Sequence, residues 1–140
     1  MTTISVRMLG AADVALFDNH RARLVDGVDA GVASSLLDDP SRHVAIAVDG
    51  RRVVGVAFAM QCDGRNGELV VADVAVASSH RRRGIGRRLL AALLEHGRAI
   101  GCREASVEAG RDDAALRALC AAAGGVEESP ARVRVAFALR

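Results

Sequence analysis

The spacing of apolar residues changes several times along the chain, and each spacing predicts a different element. Residues 3–9 and 133–139 alternate between apolar and polar side chains, which is typical of strands with one buried face. The β-rich runs 43–48 and 53–62 flank Asp49-Gly50, a dipeptide that favours a tight hairpin turn. These segments predict four strands, and two of the four form a hairpin.

Two further apolar runs predict strands. Residues 68–77 are almost entirely apolar, so we expect a central strand that is covered on both faces. The shorter run 105–109 predicts another strand. Asp63-Gly64 and Asn66-Gly67 mark a turn before the first of these runs.

Helical spacing of apolar residues predicts four helices. In residues 85–100, Leu89, Leu93 and His96 lie on one stripe, and Gly101 is suited to end the helix. The other predicted helices are residues 11–24, residues 29–37, and a segment from Asp112 or Asp113 to Ala123. The predicted order is β-α-α-β-β-β-α-β-α-β, so we expect residues 1–140 to form a single α/β domain around a mixed central sheet.

Composition narrows the class of protein. Hydrophobic residues make up 51% of the 140 residues, which is enough for one domain with a core. The three cysteines lack CxxC spacing and the four histidines share no metal-like spacing, so we expect no disulfide framework and no metal. We find no signal peptide and no apolar run of the roughly 18–20 residues that a membrane span needs, so we expect a cytoplasmic protein without a membrane partner.

Charge is distributed unevenly along the chain. Residues 1–50 contain seven Asp against four Arg, whereas residues 78–103 contain seven Arg and one acidic residue, Glu95. The net charge of only +2, and the lack of aromatic residues near these arginines, argue against a nucleic-acid partner. The Asp-rich segment predicts either a solvated face or the acidic wall of a site for a cationic molecule.

Most of these arginines stand in one stretch, residues 80–90 (HRRRGIGRRLL), between a predicted strand and a predicted helix. The start of a helix leaves backbone N–H groups unpaired, and glycine lets the backbone approach an anion, so the stretch favours phosphate binding. A basic helix start that contacts only water is the alternative. A dinucleotide-binding fingerprint would need GxGxxG near the first strand, and a P-loop would need a Lys, which the chain lacks.

These residues resemble a known signature. The strand residues 73–76, followed by His80 and by the Arg-x-x-Gly-x-Gly pattern of residues 81–86, are similar to the acetyl-CoA motif of the GNAT N-acetyltransferase superfamily. The predicted element order resembles the fold of that superfamily as well. Within it, residues 68–76, residues 80–85 and Asp112-Asp113 are similar to the type I aminoglycoside 3-N-acetyltransferases.

The resemblance implies that acetyl-CoA is the co-substrate, and it implies which residues hold it. Backbone groups of the strand would pair with the pantetheine arm, and amides of the loop would surround the pyrophosphate. The implied cofactor-binding residues are Val74, Ala75, Val76, Arg81, Arg82, Arg83, Gly84, Ile85, Gly86 and Arg87. The N–H of Val76 would also stabilise the oxyanion that forms on the thioester carbonyl.

Three side chains are further candidates for catalysis. Asp73 interrupts an apolar strand beside the expected acetyl group, so it either handles the amine or is an Asp exposed at a bulge or bonded to a nearby loop. Glu68 opens the same strand and either contacts the acceptor through water or is an ordinary strand end. Many members of the superfamily have a Tyr that protonates the leaving thiolate, and this chain has no Tyr. Cys120 stands at the same distance before Gly124 as that Tyr. It either acts as the acid in its place or is a small core residue.

The predicted function is direct transfer of acetyl to a primary amine in a ternary complex, without a covalent enzyme intermediate. The narrower resemblance implies an aminoglycoside as the small-molecule acceptor, and a peptide, protein or small metabolic amine is the alternative. A non-catalytic acetyl-CoA-binding module is a further alternative, because the Tyr is missing. The final strand also allows a homodimer through edge pairing.

Overall fold

Seven strands form a single sheet in the computed structural model, which describes residues 3–18, 35–62, 67–109, 112–127 and 133–139. The strands are β1 (Ile4–Met8), β2 (Arg42–Asp49), β3 (Arg52–Cys62), β4 (Glu68–Val76), β5 (Glu104–Ala109), β6 (Val126–Glu127) and β7 (Val133–Ala138). Their order across the sheet is β1-β2-β3-β4-β5-β7-β6. Among the described strands β4 and β5 pair in parallel and the other pairs are antiparallel, so the prediction of a mixed sheet is confirmed.

Two helices follow the central strands at the predicted places. Helix α1 (Ile85–Ala99) follows β4, and helix α2 (Ala114–Ala122) follows β5. The start of α2 is capped by Asp113, whose carboxylate accepts a hydrogen bond from the N–H of Leu116 at 3.1 Å. Beyond the end of α1, Gly101 has φ of 92°, a left-handed conformation that glycine adopts without strain.

The N-terminal third differs from the prediction. Ala11–Asp18 forms a 3₁₀ helix rather than the first turns of an α-helix. Its sequence, AADVALFD, lacks the one-sided apolar stripe that would favour an α-helix packed on the sheet. Residues 35–38 are helical, at the end of the second predicted helix. The rest of both predicted helices falls in residues 19–34, outside the described residues.

The predicted element order is wrong after α2, because it omits β6. A strand of two residues is too short to show an alternating pattern in the sequence. β6 pairs with Val135 and Ala136, which places β7 between β5 and β6 rather than at the edge of the sheet. We expected the last strand to be able to pair across a dimer through a free edge. β6 pairs with that edge of β7 at Val135 and Ala136, so the edge is not free there.

The sheet buries apolar side chains on both of its faces. On one face, Leu69 and Val71 of β4 pack in one cluster with Leu89, Leu90 and Leu93 of α1. Each fully buried aliphatic side chain contributes about 1.5–3 kcal/mol, so this contact fixes α1 against the middle of the sheet. On the other face a smaller cluster includes residues of β2 and β3, with side chains from the 3₁₀ helix packed against it.

A glycine on β3 sets how closely α1 approaches the sheet. A Cβ atom added at Gly55 would lie 2.8 Å from Cδ1 of Leu89 and 3.3 Å from Cγ2 of Ile85. Those distances are shorter than ordinary van der Waals contacts, so a larger residue would require Leu89 and Ile85 to repack or α1 to move away from β3. The absence of a side chain at Gly55 therefore makes room for the apolar side chains at the start of α1.

The described part of the chain contains no helix that is both long enough and apolar enough to cross a membrane.

Candidate functional site

Strand β4 has two halves with different neighbours. The first half, residues 68–71, pairs with β3 on one side and with β5 on the other. In the described residues the pairing with β5 ends at Val71 and Val107, whereas β4 continues along β3 to Val76. We call residues 68–71 the closed half and residues 72–76 the open half, because one backbone edge of the latter has no partner strand among the described residues.

The backbone of Val74 and Val76 faces this open edge. The N–H of Ala77 donates a hydrogen bond to the carbonyl of Val54 on β3 at 2.8 Å. A trans peptide directs its C=O and N–H in opposite directions, so the carbonyl of Val76 points away from β3. Successive strand residues alternate, so Val74 shares this direction and Ala75 turns its backbone towards β3. An extended ligand on the open edge can therefore pair with Val74 and Val76 but not with the backbone of Ala75.

A β-bulge separates the two halves of β4. Phe58 pairs with Asp73 while the next residue of β3, Ala59, pairs with Val71, which leaves Ala72 as the extra residue. The bulge shifts the alternation by one residue, so Val74 and Val76 join Val71 on the face that carries α1. The sequence could not show this shift, because an apolar run has no alternation to interrupt.

The bulge also decides where Asp73 lies. The side chains of Ala72 and Asp73 are exposed, so the prediction that β4 is covered on both faces is wrong at these two residues. Asp73 stands opposite Phe58, on the sheet face away from α1, and immediately precedes the open-edge residue Val74. Its carboxylate is therefore accessible from solvent beside the open edge.

The loop after β4 has the geometry of an anion site. Arg82 and Gly84 have φ of 65° and 75°, so the loop contains two left-handed residues that are separated by one residue. Gly84 is the N-cap of α1, and no side chain caps this end of the helix by a hydrogen bond. The first hydrogen bond of the helix runs from the N–H of Arg88 to the carbonyl of Gly84 at 3.1 Å. The amides of Ile85, Gly86 and Arg87 precede that bond and have no acceptor within the helix. We call residues 81–87 the phosphate loop.

The arginines of this region divide into two groups by their contacts. Three donate to backbone carbonyls: Arg81 to Val76 at 3.4 Å, Arg87 to Ala122 at 3.4 Å, and Arg88 to Ile4 at 3.0 Å. Arg82 and Arg83 are exposed, and no contact of their guanidinium groups occurs within the described residues. These two side chains have charge available for an anion without giving up a bond within the protein.

A cavity of about 390 Å³ joins the open edge to the phosphate loop. Its lining is apolar at the end of β4 and on α2, and it carries guanidinium groups along the loop. The lining residues are Val76, His80, Arg81, Arg82, Gly84, Ile85, Gly86, Arg87, Ala115 and Leu119. The structure thus brings one predicted strand residue and most of the predicted loop residues together around one space, while Arg83 lies outside this lining.

Glu68 lies at the other end of β4 from this cavity. One of its carboxylate oxygens accepts a hydrogen bond at 2.9 Å from the hydroxyl of Ser106, a side chain only 2% exposed. Glu68 belongs to the closed half and is half-buried. Its position favours a structural contact between β4 and β5 over direct contact with a group on the open edge.

Cys120 lies inside the core. Its side chain is fully buried in the cluster that contains Leu89 and Leu93, and burial, together with the negative charges of Asp113 and Glu127, raises the pKa of the thiol. A buried thiol with a raised pKa holds its proton tightly, and Cys120 is not among the residues that line the cavity. The α2 residues that do line the cavity are Ala115 and Leu119, one helical turn apart.

The Asp-rich start of the chain provides less of an acidic wall than its composition predicts. Asp13 pairs with Arg7 at 2.8 Å and is nearly buried, and Asp39 pairs with Arg42 at 3.3 Å. Internal cations thus neutralise both carboxylates. Other members of the segment fall within residues 19–34, outside the described residues.

The histidines do not form a metal site within the described ranges, where no group of three or more metal-ligating side chains occurs. His96 on α1 contacts His43 on β2, with Nε2 and Nδ1 2.9 Å apart, and His43 in turn contacts the Gln61 amide at 3.3 Å. Burial and the neighbouring His43 lower the pKa of His96. This chain of hydrogen bonds lies beside the closed half, since Gln61 pairs with Leu69.

Sequence reasoning missed several residues that shape the site. Ala115 and Leu119 line the cavity, Gly55 admits α1, and Ala72 forms the bulge. The spacing of four between Ala115 and Leu119 on one predicted helix was the available signal for a shared face. For Gly55 the signal was weaker: a glycine inside a β-rich run marks a bulge or a close approach of neighbouring structure.

An open strand edge that runs into the N-terminus of a helix can accept an extended ligand that carries an anionic group. In a comparison with sequence models of protein families, residues 12–124 match the acetyltransferase (GNAT) family. The chain belongs to this family of N-acetyltransferases, which confirms the resemblance found in the sequence. No curated protein sequence matches the chain.

Solved structures share the fold at low sequence identity. An acetyltransferase of the GNAT family from Desulfovibrio desulfuricans has a TM-score of 0.76 and 22% identity, over 99% of this chain and 100% of that one. The aminoglycoside N-acetyltransferase AAC(6')-Iy in complex with CoA has a TM-score of 0.74 and 21% identity, over 92% of this chain and 91% of that one. The ribosomal-protein-S18-alanine N-acetyltransferase from Escherichia coli has a TM-score of 0.73 and 16% identity, over 98% of this chain and 94% of that one. Proteins with very different acceptors thus share this fold, so the fold does not identify the acceptor.

Proposed function

We propose that the chain transfers the acetyl group of acetyl-CoA directly to a primary amine while both substrates are bound. The observation that carries this proposal is the continuity between the open edge of β4 and the phosphate loop. A molecule with an amide-bearing arm and a pyrophosphate fits that arrangement, because strand-like pairing suits the arm and unpaired amides suit the phosphates.

In this proposal Val74 and Val76 pair with the pantetheine arm, and the amides of residues 82–87 bind the pyrophosphate. The exposed guanidinium groups of Arg82 and Arg83 add charge-assisted hydrogen bonds to phosphate oxygens. The N–H of Val76 faces the open edge, where it is available to the thioester oxygen as negative charge develops. Ala75 contributes no backbone contact and serves only to hold β4 against β3.

The amine nitrogen attacks the thioester carbon, the C–N bond forms, and the C–S bond breaks to release CoA thiolate. The attacking amine must lose a proton, and we assign Asp73 to receive it or to orient the amine. Its exposed carboxylate lies on the sheet face away from α1, so an acceptor would approach from that face. Buried Cys120 is not suited to protonate the thiolate, so we assign that proton to water.

For the acceptor we propose an aminoglycoside, on the resemblance of residues 68–76 and 80–85 to type I aminoglycoside 3-N-acetyltransferases. An exposed carboxylate beside the transfer point would attract a molecule that carries several ammonium groups. The acceptor preference of an individual enzyme depends on loops that vary between proteins of one fold, so the choice requires a direct test.

The test is release of CoA at saturating acetyl-CoA over a panel of aminoglycosides, polyamines and peptides with free α-amines. We expect a gentamicin-class compound to stimulate release most. Stimulation by a peptide or a small metabolic amine alone would reject the aminoglycoside proposal and keep amine acetylation. No stimulation by any amine, with acetyl-CoA bound, would reject catalysis of this transfer.

A further inference from the structure

His80 lies where β4 passes into the phosphate loop, and both of its ring nitrogens are engaged. It ends a short 3₁₀ turn, Ser78–His80, directly before Arg81. The residue is only 8% exposed. Its Nε2 lies 2.8 Å from Oδ2 of Asp49, and its Nδ1 lies 2.7 Å from the hydroxyl oxygen of Ser79.

The partners fix the direction of these hydrogen bonds. An ionised carboxylate only accepts, so Nε2 of His80 carries the proton and donates to Asp49. In the neutral ring Nδ1 then accepts from the Ser79 hydroxyl. Each of the two contacts restricts rotation of the ring, and the charged one is the stronger type of hydrogen bond.

Asp49 belongs to a different part of the fold from the phosphate loop. It is the last residue of β2, immediately before the hairpin turn at Gly50 that leads into β3. Neither Asp49 nor its hairpin lines the cavity, whereas His80 does. The contact between Asp49 and His80 spans 31 positions of sequence and ties the start of the loop to the paired hairpin of β2 and β3.

The loop needs such a tie because part of its backbone is held in an unfavourable conformation. Arg82 has φ of 65°, which costs free energy for any residue with a side chain and persists only where surrounding contacts impose it. The guanidinium of Arg82 makes no contact in the described residues that could impose it. His80, two residues earlier, is the nearest side chain that is both buried and bonded outside the loop.

We infer that Asp49 and His80 are positioning residues that hold the phosphate loop in the conformation that binds the pyrophosphate of CoA. The inference rests on the proposed function, since it assumes that the loop receives this group. It adds a role for two residues that no comparison assigns. A pre-organised loop binds an anion more tightly because the cost of ordering is met during folding.

The experiment compares CoA with pantetheine, which has the arm but neither pyrophosphate nor nucleotide. Dissociation constants would be measured for the wild type, Asp49→Ala, Asp49→Asn, His80→Phe, and the double variant Asp49→Ala with His80→Phe. Calorimetry serves for CoA, and ligand-observed NMR serves for the weaker pantetheine. Glu95→Gln is the control, because it removes an exposed carboxylate of α1 that pairs with Arg98 at 2.7 Å, away from the loop.

We expect Asp49→Ala and His80→Phe each to weaken CoA binding about tenfold, the scale of one charge-assisted hydrogen bond. The double variant should be no weaker than the worse single variant, because both changes remove the same contact. Asp49→Asn keeps an acceptor and should recover part of the loss. Pantetheine binding should change less than about twofold in every variant, as should CoA binding by Glu95→Gln.

The outcomes separate this inference from the function on which it rests. If the wild type does not bind CoA, the proposed function fails. If the wild type binds CoA and the folded Asp49 variants bind it equally well, the positioning role is wrong. A parallel loss of CoA and pantetheine affinity would also overturn it, since that pattern indicates general damage to the fold. Should His80→Phe not fold, the two Asp49 variants decide the question.

Discussion

The closed and open halves of β4 have similar sequences and opposite environments. In the closed half, Leu69 and Val71 are buried, both backbone edges are paired, and Glu68 bonds to Ser106. In the open half, Asp73 is exposed and one backbone edge has no partner strand in the described residues. Each half contains one acidic residue among apolar ones, so composition alone does not account for the difference between their environments.

The backbone groups that stabilise the fold and those that are available to a ligand lie in different halves of β4. A paired edge satisfies its backbone groups within the protein, and those groups are then unavailable to a ligand. The open half leaves the outward N–H and C=O groups of Val74 and the N–H of Val76 available to another molecule, while the Val76 carbonyl accepts from Arg81. The amides at the start of α1 are available in the same way, so the proposed binding of CoA uses backbone groups that folding leaves without a strand or helix partner.

The largest effect is expected from removing the charge of the open half. Asp73→Asn keeps the shape of the side chain and should lower kcat/KM about a hundredfold, the lower range for loss of an acid–base group. Glu68→Gln in the closed half is the matched change and should cost less than tenfold. Steady-state rates with the best acceptor of the panel measure both. Equal losses in the two variants would mean that the halves do not differ in function.

A smaller effect is expected in the phosphate loop. Gly84→Ala places a side chain at φ of 75°, which costs about 1–2 kcal/mol and should weaken CoA binding roughly tenfold. Gly101→Ala is the control, because it places a side chain at a left-handed φ of 92° with nothing within 4 Å, beyond the other end of α1. Calorimetry with CoA tests the pair. Normal binding by folded Gly84→Ala would place the anion site elsewhere.

Cys120 should have little effect on the rate. Because its thiol is buried in the core, Cys120→Ala should change kcat less than tenfold, and the variant should lose about 1 kcal/mol of stability. Rates and thermal unfolding of the same sample measure the two quantities. A loss of several hundredfold in kcat with folding intact would make Cys120 the acid that replaces the missing Tyr.

The smallest expected effect concerns pH and the closed half. The pKa of His96 is lowered from its ordinary 6.5 in the folded protein, so the unfolded chain takes up the proton first. The stability contributed by neutral His96 is complete above pH 6.5 and declines as pH falls through the lowered folded pKa. Between pH 7.5 and about 5, the free energy of unfolding measured with denaturant should decline less steeply in His96→Gln than in the wild type. Identical slopes would exclude His96 as the source.

Much of the fold could be predicted because its signals are local. Leu89 and Leu93 recur at helical spacing, Asp49-Gly50 marks a hairpin, and Gly84 stands just before a helix. The 3₁₀ form of residues 11–18 could not be predicted, since Ala and Leu suit either helix. Neither could β6, whose two residues show no period.

The site was predictable in the loop and less so on the strand. The phosphate loop has a sequence signature because glycine and arginine have few substitutes there. The contact between His80 and Asp49 had no such signature, because a pair 31 residues apart is set by tertiary packing. The exposure of Asp73 depends on the bulge at Ala72, and the β4 sequence alone does not reveal that bulge.

Ala72 has a consequence that reaches beyond its own position. If Ala72 paired with Phe58 instead of forming a bulge, β4 would alternate regularly along β3, and every later residue of the strand would exchange faces of the sheet. The carboxylate of Asp73 would turn under α1 into the apolar core, and Val74 and Val76 would turn their side chains to the acceptor side. Their peptide groups would rotate with them, away from the open edge and towards β3. One alanine thus lets the same strand pack its valines against the helix and present their backbone groups at the edge where the proposed cofactor binds.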